Sequence, residues 1–484
     1  MLFRTEETVS CSMIRNTPSS FHESGLRPGL AVLTGLVITL WLSGCAINPH
    51  RPDLERLYET ARADVDQPPV ILIPGLMGSR LESEADGEIW PGPFFRLLFS
   101  NFRQAALEID SDTLLPLPGD VRSTQITGKF AGRDFYSSII ETLETAGGFS
   151  FAQPGQPPEI EGRHYYIFTY DWRMDNVQTV RLLDQFIEQI RIDHDDPDLQ
   201  IDIVAHSMGG MIARYYMRYG TVDVTMDNEF PINYHGEGRV RRIVLLGTPN
   251  LGSVESLKAF IVGRKIGLRT IPPEVLITFP SFYQLFPHPL NDWVMNINGE
   301  PIDVDPFNLS TWKRFQWSIF DPKLRRRIIE SHDDPLEGQA RVDLLERYFH
   351  KHIERGRRFM WSLTVSMERT PWRLVVFGGA CTLTPARMVV EDIGSSYELH
   401  LEPDDIGRPR PGVDYSRLML EPGDGVVTKA SLLARESLDP VVPRHKWSFF
   451  PMDYSLFLCE RHGQLTTNLF FQDNLLNFLL DRDG

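Results

Sequence analysis

Short apolar runs closed by glycine or proline, and separated by helical patterns, constrain the fold of this chain more than any other feature. The first is Pro69-Val70-Ile71-Leu72-Ile73-Pro74-Gly75, which reads as a parallel strand buried on both faces and feeding a loop. Comparable runs lie at 165–169, 201–205, 240–246, 374–377 and 447–450. Between them Val180, Leu183, Ile187 and Ile190 form one apolar stripe at helical spacing, and a helix over 211–217 follows a strand directly. Strands alternating with amphipathic helices predict an α/β fold, a mostly parallel sheet with helices on both faces. The apolar segment 465–480 predicts a last helix that packs on the sheet.

The alternation stops between Ser253 and Trp372, so residues 253–372 read as a cap inserted between two core parts, 69–252 and 373–484. Within the cap, the stretch 342–361 predicts an amphipathic helix whose arginines and lysine form a solvated basic face, preferred to a contact with a lipid surface. The runs His194-Asp195-Asp196 and His332-Asp333-Asp334 read as solvated loops.

At the N-terminus Arg15 and Arg27 precede an apolar run over 30–42, too short to span a bilayer but suited to a signal peptide. The run ends in Leu42-Ser43-Gly44-Cys45, which resembles the bacterial lipobox. Residues 1–44 are therefore expected to be a lipoprotein signal peptide. Cys45 is expected to carry the lipid that holds the protein to a membrane of the cell envelope, with 45–68 as a tether; the leaflet is not specified. The charged stretch before Met13 is unlike such a leader, which leaves the start open between Met1 and Met13. Export would make a disulfide between Cys381 and Cys459 chemically permissible, and whether they meet stays open. The net charge of −16 argues against nucleic acid as a partner. Oligomeric state is not legible.

The sharpest chemical signal is Ile203-Val204-Ala205-His206-Ser207-Met208-Gly209-Gly210, with a strand before it and a helix after it. A serine on such a turn is exposed by a strained backbone and needs small neighbours. Ala205 stands where a glycine is usual in the pattern. Acyl transfer at Ser207 would need oxyanion donors, expected to be the backbone N–H groups of Met208 and of Leu76, the latter in the loop after the first strand. The base and acid should follow the serine in the chain. His462, between the predicted strand at 447–450 and the last helix, is the best base, ahead of His445, His350 and His352. Asp424, on a glycine-flanked loop expected to follow a core strand, is preferred to Asp404, Asp405 and Asp414. No cluster with metal-ligand spacing appears, so neither a catalytic metal nor a cofactor is expected.

With these residues in order, the chain resembles the lecithin:cholesterol acyltransferase family, which includes lysosomal phospholipase and phospholipid:diacylglycerol acyltransferases. Five blocks carry the resemblance: Pro69 through Glu82, Tyr170-Asp171-Trp172-Arg173, Ala205 through Gly210, Gly247-Thr248-Pro249-Asn250-Leu251-Gly252-Ser253, and Pro280 through Pro287. Residues 89–162 and much of the cap are unmatched. The resemblance implies an α/β-hydrolase fold and a lipid substrate. It also implies an acyl-serine intermediate on Ser207, His462 as base and then acid, Asp424 orienting it, and Leu76 and Met208 as oxyanion donors. Asp171 and Arg173 would fix a loop by ion pairing. Phe279, Phe282, Tyr283, Phe286 and Trp361 favour a lipid substrate, although they would equally suit a packed core. The competing readings are an esterase or amidase for non-lipid substrates, and a non-catalytic envelope lipoprotein.

Overall fold

The computed structural model describes residues 51–63, 67–92, 102–117, 119–130, 132–158, 162–435 and 450–481. The signal peptide, Cys45, His445 and the predicted strand residues 447–449 lie outside them. Among the described residues a central sheet of seven strands organises the chain. The strands are β1 (Val70–Ile73), β2 (Phe149–Phe151), β3 (Arg163–Ile167), β4 (Ile201–His206), β5 (Val240–Leu246), β6 (Arg373–Gly379) and β7 (Tyr454–Leu458). They stand in the order β2-β3-β1-β4-β5-β6-β7, and every neighbouring pair is parallel. This is the parallel α/β sheet expected from the alternation of strand and helix patterns.

Alternate strand residues segregate to opposite faces. Ile71, Ile73, Ile203, Ala205, Ile243 and Leu245 pack with helices α1 (Asn176–Asp193) and α2 (Met208–Tyr219). Val70, Leu72, Val204, Val244, Leu246 and Phe377 face Leu475, Leu476 and Leu479 of the last helix. A strand covered on both sides has no solvated face, which is why β1 reads as an unbroken apolar run.

Two expectations need correction. Among the described residues the last core strand is Tyr454–Leu458; of the predicted run 447–450 only Phe450 is described, and it is buried outside any strand, beneath the Arg214 guanidinium. β7 is an edge strand with partly exposed residues, so it carries a weaker apolar signal than the central strands. Asp424 follows Leu420–Gly423, which pairs antiparallel with Thr382–Pro385 in a two-stranded ribbon rather than in the central sheet.

Between β5 and β6 lie mostly helices, the longest being α3 (Pro335–Thr364), capped by the Asp334 carboxylate on the Leu336 N–H. A short strand there, Val294–Asn296, pairs with Met388–Asp392, so one small sheet draws on chain from both sides of residue 372. Phe279, Phe282, Tyr283 and Phe286 are fully buried among Phe260, Trp312 and Phe349. They are the packed core of this region, and their burial removes them as an argument for a lipid-binding surface. The basic side of α3 is also less solvated than its sequence suggests. Arg347 and Lys351 donate to the carbonyls of Ser111 and Thr113, and Arg355 binds Asp175 at 2.6 and 2.9 Å and Asp223 at 3.0 Å. Asp175 also caps α1 and accepts from Gln284, so this ion pair joins α3 to the core.

The last helix, α4 (Leu469–Leu480), starts from an Asn468 cap and covers the second face of the sheet. Removing one partner of a buried pair strands the other charge. Arg355→Ala is therefore expected to lower unfolding free energy by about 3–5 kcal/mol, whereas Arg347→Ala, on the exposed side, should change it by less than about 0.5 kcal/mol. Urea unfolding midpoints of the two variants check this.

Candidate active site

Parallel sheets bind ligands beyond the carboxyl ends of their strands, where the strand order reverses. Here that point is β1, flanked by β3 on one side and β4 on the other. The loop after β1 carries Leu76, and the turn after β4 carries Ser207.

Ser207 has φ 55° and ψ −125°, a conformation costing a non-glycine residue about 1–3 kcal/mol. It is held there by its N–H to the Leu246 carbonyl at 2.8 Å and by crowding. A Cβ on Gly75 would stand 2.6 Å from the Ser207 Cβ, and one on Gly209 would stand 2.6 Å from the Pro74 carbonyl oxygen. These glycines let the β1 loop and the start of α2 close around the serine. Met208 is the first residue of α2, where backbone N–H groups lack intrahelical acceptors and favour negative charge.

His462 opens the 3-10 turn His462–Thr467, just after β7. Its Nε2 is 2.9 Å from the Ser207 Oγ, and its Nδ1 is 2.8 Å from the Asp424 Oδ2. The other carboxylate oxygen of Asp424 accepts from the Val426 and Val427 N–H groups at 2.9 and 2.8 Å, and the Asp424 carbonyl accepts from the His462 N–H at 2.9 Å. The carboxylate is 2% exposed, so its bonds are made away from competing water. An imidazole bridging a hydroxyl and a buried carboxylate in this way can take up the hydroxyl proton while the carboxylate stabilises the resulting imidazolium. The structure therefore brings Ser207, His462 and Asp424 into one hydrogen-bonded row, with Leu76 and Met208 in the two segments that flank the serine. His352 is buried in the cap against the Leu114 carbonyl, and His350 lies on α3.

The resemblance blocks hold these loops. Tyr170 Oη donates to the Pro74 carbonyl at 2.8 Å, Trp172 Nε1 to the Ser79 carbonyl at 3.1 Å, and Arg173 forms a two-pronged pair with Asp171. In Gly247 through Ser253, Ser253 Oγ donates to the Val426 carbonyl and Asn250 Nδ2 to the Leu432 carbonyl, which anchors the Asp424 loop. A disulfide joins Cys381 to Cys459, linking the segments that leave β6 and β7 beside the Asp424 and His462 loops.

Two further residues line the row without being singled out by sequence. Tyr136, in the stretch that matched nothing, has its Oη 2.7 Å from His206 Nδ1 and accepts from the Gly75 N–H at 2.9 Å. No local pattern marks it, because its partners are 61 and 70 residues away. Burial pushes the pKa of His206 down to about 3, with the neighbouring His462 acting in the same direction. Among the described residues one group of possible metal ligands, Glu391, Glu398 and His400, lies in a separate small sheet, where Glu391 already pairs with Arg410.

Residues 162–317 match the family model for lecithin:cholesterol acyltransferase. That span holds the Tyr170, Ala205, Gly247 and Pro280 blocks and stops short of Asp424 and His462. The chain has the α/β-hydrolase fold and is similar to that family over this span. Lipid-ester hydrolysis or acyl transfer is the chemistry that the likeness supports in general terms. Among solved structures, the chain is similar to a chain of the Tle4-Tli4 complex at 14% identity, covering 86% of this chain and 98% of that one with a TM-score of 0.50. It also aligns with Staphylococcus hyicus lipase at 13% identity, covering 89% and 96% with a TM-score of 0.34. Bacillus licheniformis lipase BlEst2 aligns at 12% identity, covering 86% and 90% with a TM-score of 0.31. At these identities the likeness is one of fold, and the first of the three carries it. No curated protein sequence matches the chain.

Burial also pushes His352 down to about 4. Both histidines therefore bind protons less readily folded than unfolded. Their contribution to stability is complete above the ordinary histidine pKa of about 6.5 and is lost as the pH falls towards their folded values. Urea midpoints are expected to fall between pH 6.5 and 4, and NMR at pH 5 should find both rings neutral.

Proposed function

We propose that this protein is a serine-dependent lipid acyl hydrolase or O-acyltransferase of the cell envelope. The observation that carries the reading is the row Ser207–His462–Asp424, with Nε2–Oγ and Nδ1–Oδ2 separations of 2.9 and 2.8 Å. Ser207 Oγ attacks the carbonyl carbon of an ester while its proton passes to His462 Nε2. The oxyanion of the tetrahedral adduct receives hydrogen bonds from the Leu76 and Met208 N–H groups, in a site where such fixed donors are worth most. The adduct collapses as His462 returns the proton to the departing alcohol oxygen, leaving the acyl group on Ser207. Water or an acceptor alcohol then attacks this ester with His462 again removing the proton, and the free acid or the new ester leaves as the proton returns to Ser207 Oγ.

Asp424 accepts the Nδ1–H throughout and stabilises the imidazolium without itself taking the proton. The lipid on Cys45 would hold this site beside its substrate. The Cys381–Cys459 disulfide supports the exported location, since such bonds persist in oxidising compartments.

The deciding experiment presents phospholipid vesicles to the protein with and without an added long-chain alcohol and analyses the products by mass. Ser207→Ala is expected to abolish both products and labelling by a fluorophosphonate probe, with a loss of at least about 10³-fold in turnover. A wild-type protein that neither takes the probe nor releases fatty acid or ester would end the serine reading. Free acid alone assigns hydrolysis, and a new ester assigns transfer. Cys45→Ser should move the protein from the membrane to the soluble fraction, and unchanged partition would end the anchor.

A further inference from the structure

One buried polar chain next to the reacting row has no part in the proton transfers above. It runs from the Gly75 N–H to Tyr136 Oη at 2.9 Å, from Tyr136 Oη to His206 Nδ1 at 2.7 Å, and from His206 Nε2 to the His462 carbonyl oxygen at 3.2 Å. Its two ends belong to opposite sides of the site: Gly75 precedes Leu76, and the carbonyl is that of the base residue itself.

The protons in this chain have one consistent arrangement. A carbonyl oxygen only accepts, so His206 Nε2 must carry a hydrogen. In a neutral imidazole the other nitrogen is then an acceptor, and Tyr136 must donate its hydroxyl proton to Nδ1. The tyrosine oxygen is left with lone pairs to accept the Gly75 N–H, so each group is satisfied in one direction. Burial keeps the ring neutral: Tyr136 is 3% and His206 8% exposed, and a charged imidazole there would have two donors facing a single acceptor and a hydroxyl. The His206 ring also lies against the His462 ring, with centroids 4.9 Å apart.

We propose that Tyr136 and His206 are positioning residues, a directional hydrogen-bond relay that sets the Leu76 N–H and the His462 imidazole in register on either side of Ser207. This rests on the serine reading above. The residue before the nucleophile thereby does what neither loop does alone. Ser207 is fixed by the elbow, but the oxyanion loop and the base loop come from chain segments nearly four hundred residues apart and share no strand. A relay through His206 ties both to the same turn. Misplacement of reacting groups by an ångström costs rate rather than substrate binding.

The test uses the full-length protein, a soluble p-nitrophenyl ester and a boronic acid as a transition-state analogue. Tyr136→Phe keeps the ring and removes the donor. It is expected to lower kcat about 10- to 100-fold, with KM changed less than twofold and boronate affinity falling in step with kcat/KM. His206→Gln keeps a donor near the Nε2 position and loses the acceptor for Tyr136; it should show the same split. The double variant should be no worse than the worse single one, because the relay is already broken.

In the wild type at pH 7, the nitrogen-15 resonances of His206 should show hydrogen on Nε2 and none on Nδ1. The proposal is overturned if the variants lose only thermal stability while kcat stays within twofold, or if His206 carries its proton on Nδ1. Should Tyr136→Phe fail to fold, the His206→Gln kinetics and the wild-type tautomer decide. A wild-type protein inert to ester and fluorophosphonate alike would instead overturn the serine reading, and the relay's role with it.

Discussion

The close approach of the β1 loop to the turn after β4 is the constraint on which the rest of the site depends. The two strands are parallel neighbours, with Ile73 level with Ala205, so the loops that leave them emerge side by side. They can touch only because Gly75 and Gly209 have no side chains: Cβ atoms at either position would collide with the serine or with the loop backbone. Backbone proximity of this kind exposes the serine oxygen at the top of the sheet, between the loop that carries Leu76 and the start of helix α2 at Met208. The strained torsions of Ser207 persist because the surrounding packing over-determines them.

Around that contact the molecule invests its buried polar groups. Tyr170 and Trp172 donate to the Pro74 and Ser79 carbonyls on either side of the loop after β1, and Tyr136 shares a hydrogen bond with His206 beside it. The segment Gly247 through Ser253 does the same for the Asp424 loop, and Thr248 packs so tightly on α2 that a Cβ on Gly210 would lie 2.0 Å from its Oγ1. Loops are ordinarily the mobile part of a fold. Here the supporting shell removes that freedom around Ser207, His462 and Asp424.

The region between β5 and β6 obeys different physics. Its aromatic residues are spent on its own core, and its basic helix is spent on carbonyls and on Asp175 and Asp223. An apolar or charged pattern in sequence reports only that a face is covered, not what covers it. Helix α3 shows this directly, since Arg355, one of the arginines that suggest a solvated face, is the ion-pair partner of Asp175 and Asp223, more than a hundred positions away.

The sequence by itself determined the parallel sheet, the turn that carries Ser207, and the order in which serine, carboxylate and histidine occur. Those properties are local or periodic: buried strands are continuously apolar, an elbow needs small neighbours, and chain order is written in the chain. Tertiary structure decided the rest. Among the described residues it made Tyr454–Leu458 the last strand, which the sequence hides because an edge strand lacks the apolar signature. It put Asp424 on a ribbon outside the main sheet, joined Cys381 to Cys459, and recruited Tyr136 from a stretch without any recognisable pattern. Each of these depends on contacts between residues far apart in sequence, and a hydrogen bond across such a span leaves no periodicity or spacing to read.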